Sequence, residues 1–143
     1  MSKELEHIPQ ELLAEHLELS ERLAELQKKE TIQTNFMPFV KTMWSDFIEG
    51  EHHRIMARAF DRIASGELKR LIINMPPRHT KSEFASYLFP AYLVGKRPGL
   101  KIIQATHTAD LAVRFGRKIR DLIVTQQFRE VFPNVELNPE SKA

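Results

Sequence analysis

Apolar positions along this chain change their rhythm at Lys69. Before it they recur at helical spacing, and after it short unbroken apolar runs alternate with helical stretches. From residue 9 to about 29, Leu12, Leu19, Leu23 and Leu26 lie along one stripe, and Pro9 suits the first helical turn. Glu18, Glu21 and Glu25 face elsewhere, with Glu15 at the stripe's edge. Such a helix either packs on the domain or docks a partner subunit. Thr31 to Asn35 is polar and reads as a linker. Two further helices are predicted over about Met37–Glu49 and His52–Ala64, the second with Ile55, Met56, Ala59, Phe60 and Ile63 at helical spacing and ended by Ser65-Gly66. Trp44 and Phe47, three residues apart, share a helix face and read as core.

Beyond Lys69, Leu71-Ile72-Ile73-Asn74-Met75 is a short apolar run of the kind a buried parallel strand shows. A loop from Pro76 to Thr80 leads into a helix over about 82–95, which Pro90 is expected to kink or split and Gly95 with Arg97-Pro98-Gly99 to end. Lys101 to Thr106 is a second predicted strand. Thr108 then caps a helix with Leu111, Phe115, Ile119, Leu122 and Ile123 on its apolar face. Strand, helix, strand, helix in this order predicts an α/β fold with a right-handed parallel crossover. The chain divides accordingly into a helical leader with linker, 1–35, and a sheet-bearing part, 36–143.

Composition bounds the class without naming a function. A chain of 143 residues with 42% apolar and 28% charged residues suits one modest globular domain. No long apolar run encodes a membrane span, and the polar, acidic start is not a secretion signal. The absence of cysteine excludes disulfides and thiolate metal sites. Charge is uneven: residues 1–30 carry 4 basic and 8 acidic side chains, the remainder 17 basic and 11 acidic. A basic body behind an acidic leader is compatible with a polyanionic partner, nucleotide or DNA.

The chemistry concentrates in Met75-Pro76-Pro77-Arg78-His79-Thr80-Lys81-Ser82, between an apolar run and a helix start, where a phosphate-binding loop belongs. Amides at the helix start and the helix dipole favour phosphate there. Lys81 would reach the β- and γ-oxygens, and the Ser82 hydroxyl would bind Mg²⁺. The loop has no glycine: Met75 and Thr80 occupy the two glycine positions of the usual motif. Thr80 resists a left-handed conformation, so the backbone is expected to avoid one there. A plainer reading exists, because Thr80-Lys81-Ser82-Glu83 is also a capping box.

Leu71 to Glu83 resembles the deviant Walker A loop of tailed-phage terminase large subunits, in which Pro-Pro-Arg-His precedes Gly or Thr and then Lys-Ser. Gly66 to Arg70 leads into it as in that family. Ile102 to His107, Ala109 to Ala112 and Phe115 to Arg120 resemble the family's next strand and helix, so the likeness covers about residues 50–135. It implies a partial P-loop, RecA-like parallel sheet with flanking helices and a helical N-terminal leader. It implies ATP and Mg²⁺ as cofactors, with Pro77, Arg78, His79, Thr80, Lys81 and Ser82 around the phosphates and Ser82 on the metal. Arg78 matches an arginine that senses or stabilises the γ-phosphate; its plain alternative is a surface arginine beside a turn. Arg117 falls where the family has an arginine that acts on a neighbouring subunit's ATP, against a plain reading, shared by Arg114, Lys118 and Arg120, as solvated helix surface.

His52 and His53 fall where such motors contact adenine, against helix surface as the default, and adjacent helix positions diverge too far to chelate one metal. His79 and His107 would stand nearby as polar neighbours. The implied partners are double-stranded DNA, the portal protein, the terminase small subunit and further copies in a homo-oligomeric ring. The implied location is the host cell cytoplasm, transiently at the procapsid portal, with no membrane. Neither an apolar run ending in Asp-Asp or Asp-Glu nor a two-metal aspartate cluster occurs, so the chain is expected to be an N-terminal piece, weak or inactive as an ATPase alone. The competing functions are a helicase-like P-loop motor fragment and a non-catalytic α/β binding module.

Overall fold

A computed structural model describes residues 9–138, which fall into two compact units divided between Thr31 and Ile32. Helix α1, Gln10–Thr34, begins in the first unit and ends in the second. Leu12, Leu19, Leu23 and Leu26 are 55–57% exposed. Of the stretch expected as a linker, 31–34 is the last turn of this helix, and Asn35 alone separates it from the next. Polar composition suggested a break, but Ile32 is buried in the second unit's core, and Gln33 Nε2 donates to the Val131 carbonyl at 2.5 Å. One anchored isoleucine there outweighs three polar neighbours.

Helix α2, Phe36–Met43, buries Phe36, Phe39 and Val40, one stripe at spacings of three and four. Its first amide, Phe36 N–H, is taken by the Asp61 carboxylate, 25 residues on, at 2.8 Å. Burial holds the Asp61 carboxyl above its ordinary pKa, partly offset by that bond. The helix stops at Met43 rather than near Glu49. Glu49 pairs instead with Lys41 and, at 2.6 Å, with Arg54, folding residues 44–50 back across the helix ends. Trp44 and Phe47 meet with ring centroids 5.4 Å apart through a turn, not along a helix face, and both pack on the core.

Helix α3, Glu51–Ser65, presents Met56, Ala57, Phe60 and Ala64 to the core. Gly66 ends it at φ 85°, where a Cβ would be strained, and its N–H reaches the Ile63 carbonyl. The core of the second unit is aromatic. Phe36, fully buried, meets Phe60, Phe84, Phe89 and Tyr92 at 5.2–5.6 Å, mostly edge to face, and Phe60 stacks on Phe89 at 4.2 Å. Each such pair contributes about 0.5–1.5 kcal/mol beyond burial.

The expected parallel sheet is absent: no strand occurs among the described residues, so the α/β, P-loop-type reading is corrected to an all-helical arrangement joined by extended segments. Leu71–Met75 and Lys101–Thr106 carry no ladder, and the crossover inferred from them has no sheet to cross. A strand exists only when a neighbour takes its N–H and C=O groups, and an apolar run specifies the extended shape but not that neighbour. Ile73 and Met75 pack on the core while Ile72 stays 86% exposed, and Ile103 is 97% exposed.

The helix after the loop is regular only in its second half. Residues Glu83–Leu88 form a π-helical segment and Phe89–Lys96 form α4, with Pro90 in its first turn. Proline splits the helix's register here without bending the chain out of helical form. Pro90 brings no N–H to this stretch, and Gln104 Nε2 donates to the Ser86 carbonyl from outside the helix at 3.1 Å. Helix α5, Ala109–Ile123, follows the expected cap, Thr108 Oγ1 accepting from Leu111 N–H at 3.4 Å, and buries Phe115, Leu122 and Ile123. A short α6, Gln126–Val131, adds Phe128 and Val131 to the core.

Candidate functional site

Pro76 opens the loop and a tight turn follows at once at Pro77-Arg78. The His79 ring folds back so that Nδ1–H donates to the Pro77 carbonyl at 2.9 Å. Arg78 and Thr80 both adopt left-handed backbone, at φ 65° and 56°. The expectation that Thr80 avoids that region is therefore wrong. The penalty, about 1–2 kcal/mol for a non-glycine residue, is opposed by two hydrogen bonds of the Thr80 hydroxyl. It donates to the His79 carbonyl at 2.7 Å and accepts from His53 Nε2 at 2.6 Å.

That arrangement fixes the His53 tautomer. Nδ1 accepts from Gly50 N–H at 2.9 Å, so the ring proton sits on Nε2 and points at Thr80. His53 is 5% exposed, between Phe47 and Phe84. Its pKa is lowered first by burial and then by neighbouring His52 and His79, against a pull upward from Glu49. His53 is thus an anchor inside the protein rather than helix surface, and with both nitrogens engaged it has no lone pair left for a ligand.

The capping box does not form. Thr80 Oγ1 is committed elsewhere, and Glu83, instead of reaching back, pairs with Lys118 of α5 at 2.6 Å. The Lys118 ammonium also stands 4.4 Å from the Tyr87 ring centroid, so it is not solvated surface. The first helical bond runs from Phe84 N–H to the Thr80 carbonyl. The amides of Lys81, Ser82 and Glu83 precede it, the orphan donors that any helix start presents to an anion.

Met75 to Ser82 line a concavity of about 450 Å³. At its rim Pro77, Arg78, His79 and Ser82 are exposed and Thr80 and Lys81 partly so. Lys81 and Arg78 enter no ion pair among the described residues, while the one carboxylate beside them, Glu83, is neutralised by Lys118. The loop therefore carries uncompensated positive charge over open amides, a combination that attracts phosphate.

His52, half-exposed, lies with its ring 3.8 Å from that of His53 and 5.8 Å from that of His79. It borders an apolar groove of about 290 Å³ with Ile55, Met56, Ala59 and residues 71–75. Arg117 and Arg114 are exposed on α5, and His107 is exposed before it; no hydrogen bond or ion pair joins any of them to the loop among the described residues. The structure thus gathers His52, His53, and residues 77–82 and leaves Arg117 and His107 apart. Sequence reasoning missed the His53–Thr80 contact and the π segment. A threonine where glycine is usual was the available signal that some side chain must hold the loop.

No family model, curated protein or solved structure matches this chain. No helix among the described residues is long and apolar enough to cross a membrane.

Proposed function

We propose that this chain is the ATP-binding part of a DNA-packaging motor of the terminase large subunit kind. In this reading Lys81 and the amides at the helix start hold the β- and γ-phosphates, Ser82 completes the Mg²⁺ shell, and Arg78 offsets charge on the γ-phosphate. His52 borders the groove that receives the base. Double-stranded DNA, the portal protein, the small subunit and ring neighbours are the partners, at the procapsid in the host cytoplasm. Arg117, exposed and apart from its own chain's loop, is free to serve a neighbour's nucleotide.

The observation that supports this most is the pairing of a strained, side-chain-anchored loop with unpaired Lys81 and Arg78 at an open helix start. A plain capped helix has no use for left-handed Arg78 and Thr80, which favours anion binding over the capping-box module. The reading rests on the loop and on sequence likeness, not on a sheet.

Calorimetric titration with ATP and Mg²⁺ tests it. Lys81→Ala is expected to weaken binding at least about tenfold, the scale of one charge-assisted contact, with the urea midpoint unmoved. Equal affinity in the two proteins would sink the assignment. Turnover by the wild-type chain alone is expected to be weak or nil, since no carboxylate of the Walker B type accompanies the loop.

A further inference from the structure

Among the described residues, Leu12, Leu19, Leu23 and Leu26 of helix α1 are each more than half exposed. Within Gln10–Thr34 only Ile32 is buried. Leu12, Leu19 and Leu26 repeat at every seventh residue, with Leu23 beside them. Successive residues advance about 100° around a helix, so these four leucines fall in a strip about 60° wide, the narrow seam that two paired helices bury. In proteins most of a helix's stability comes from packing its apolar face rather than from propensity. The question is what covers it.

Charge along the helix selects the occupant. Residues 10–21 carry four glutamates and no basic side chain, whereas residues 22–31 carry Arg22, Lys28 and Lys29 against Glu25 and Glu30. A second copy laid parallel and in register would set Glu15 against Ser20 and Arg22 against Gln27, with no ion pair. Laid antiparallel, it puts Glu15 of one helix and Arg22 of the other on the same flank of the seam. When Leu12 of one helix meets Leu23 of the other, Leu19 meets His16, and Arg22 stands two positions beyond the residue facing Glu15, within reach of its carboxylate along the flank. Two-fold symmetry repeats each contact.

We propose that α1 is a self-association helix, pairing antiparallel with α1 of a second copy through the Leu12, Leu19 and Leu23 seam and reciprocal Glu15–Arg22 ion pairs. The pairing is independent of nucleotide. Its short seam, with a polar His16 in one layer, makes a reversible dimer rather than an obligate one.

Sedimentation equilibrium of the full chain, from micromolar to submillimolar concentration, is expected to show a monomer–dimer equilibrium that Leu19→Asp abolishes. Glu15→Arg is expected to weaken the dimer about 3- to 30-fold, turning two exposed attractions into repulsions, and Glu15→Arg with Arg22→Glu is expected to restore it. The chain has no cysteine, so disulfides report direction cleanly. An equimolar mixture of Leu12→Cys and Leu23→Cys chains is expected to oxidise to the mixed disulfide. A monomer throughout, a dimer indifferent to Leu19→Asp, a double swap as weak as the single one, or homodisulfides in place of the mixed one would each overturn the proposal.

Discussion

His53 Nε2 lies 2.6 Å from the Thr80 hydroxyl, and this contact ties the first turn of α3 to the residue before Lys81. Because His53 is buried while its partner holds a left-handed backbone, the loop's shape depends on a proton that must stay on one nitrogen and off the other. The neutral ring is the form the structure needs.

Acid should therefore loosen this protein at a definite place. The native His53 pKa is lowered below its ordinary value of 6.5, so the unfolded chain takes up the proton first as pH falls. The contribution of the neutral His53 ring is complete above about pH 6.5 and is lost as pH drops through the depressed native value. Urea midpoints compared between about pH 7.5 and pH 5 should fall in the wild type. In His53→Gln, a neutral side chain that keeps a donor, that part of the fall should vanish; an unchanged slope would assign it to other groups.

Arg78 is exposed at φ 65°, where glycine would sit without strain. Arg78→Gly should raise stability by about 0.5–1 kcal/mol, the left-handed penalty less the extra freedom glycine gains when unfolded. On the proposed function the same change weakens ATP binding. Chemical denaturation and calorimetry on one variant would thus move in opposite directions, and a destabilised variant would show that the arginine's side chain holds the loop.

Gln104 Nε2 donates to the Ser86 carbonyl inside the π-helical segment, across 18 positions of sequence. Gln104→Ala should cost about 1–2 kcal/mol, as expected for a part-buried acceptor left alone. Amide exchange should quicken along Phe84–Leu88 in that variant. Wild-type exchange there would show that the bond is dispensable.

A methyl group added at Gly95 would come within 2.5–2.7 Å of three ring atoms of Phe132, which is 5% exposed and walled in. Overpacking of this kind costs about 1–3 kcal/mol, against about 1 kcal/mol gained from helix propensity. Gly95→Ala should lower the thermal midpoint, whereas a rise would mean that the ring yields.

The sequence announced its helices far better than its extended segments. The α3 and α5 faces were legible because 3.6-residue spacing of Met56 and Phe60, or of Phe115 and Leu122, is local information, and so was the Thr108 cap. The run Leu71–Met75 looked like a buried strand because apolarity and shape are all that such a run encodes; whether another segment hydrogen-bonds to it is decided far away in the chain. The same limit hid the end of α2, where Glu49 draws in Lys41 and Arg54. In the site, the loop's location was legible from Lys81-Ser82, but the contact from His53 spans 27 positions and no spacing rule reaches that far.

The π segment at Glu83–Leu88 amounts to one surplus residue threaded into an otherwise ordinary helix. Since each residue turns an α-helix by about 100°, that surplus sets the azimuth at which Lys81 and Ser82 leave the axis relative to Phe89 and Tyr92 in the core. Excising a single residue there would let the coil tighten and swing the ammonium more than a quarter-circle away from its concavity. The aim of this lysine is thus a matter of counting, stored in the helix behind it as much as in the loop before it.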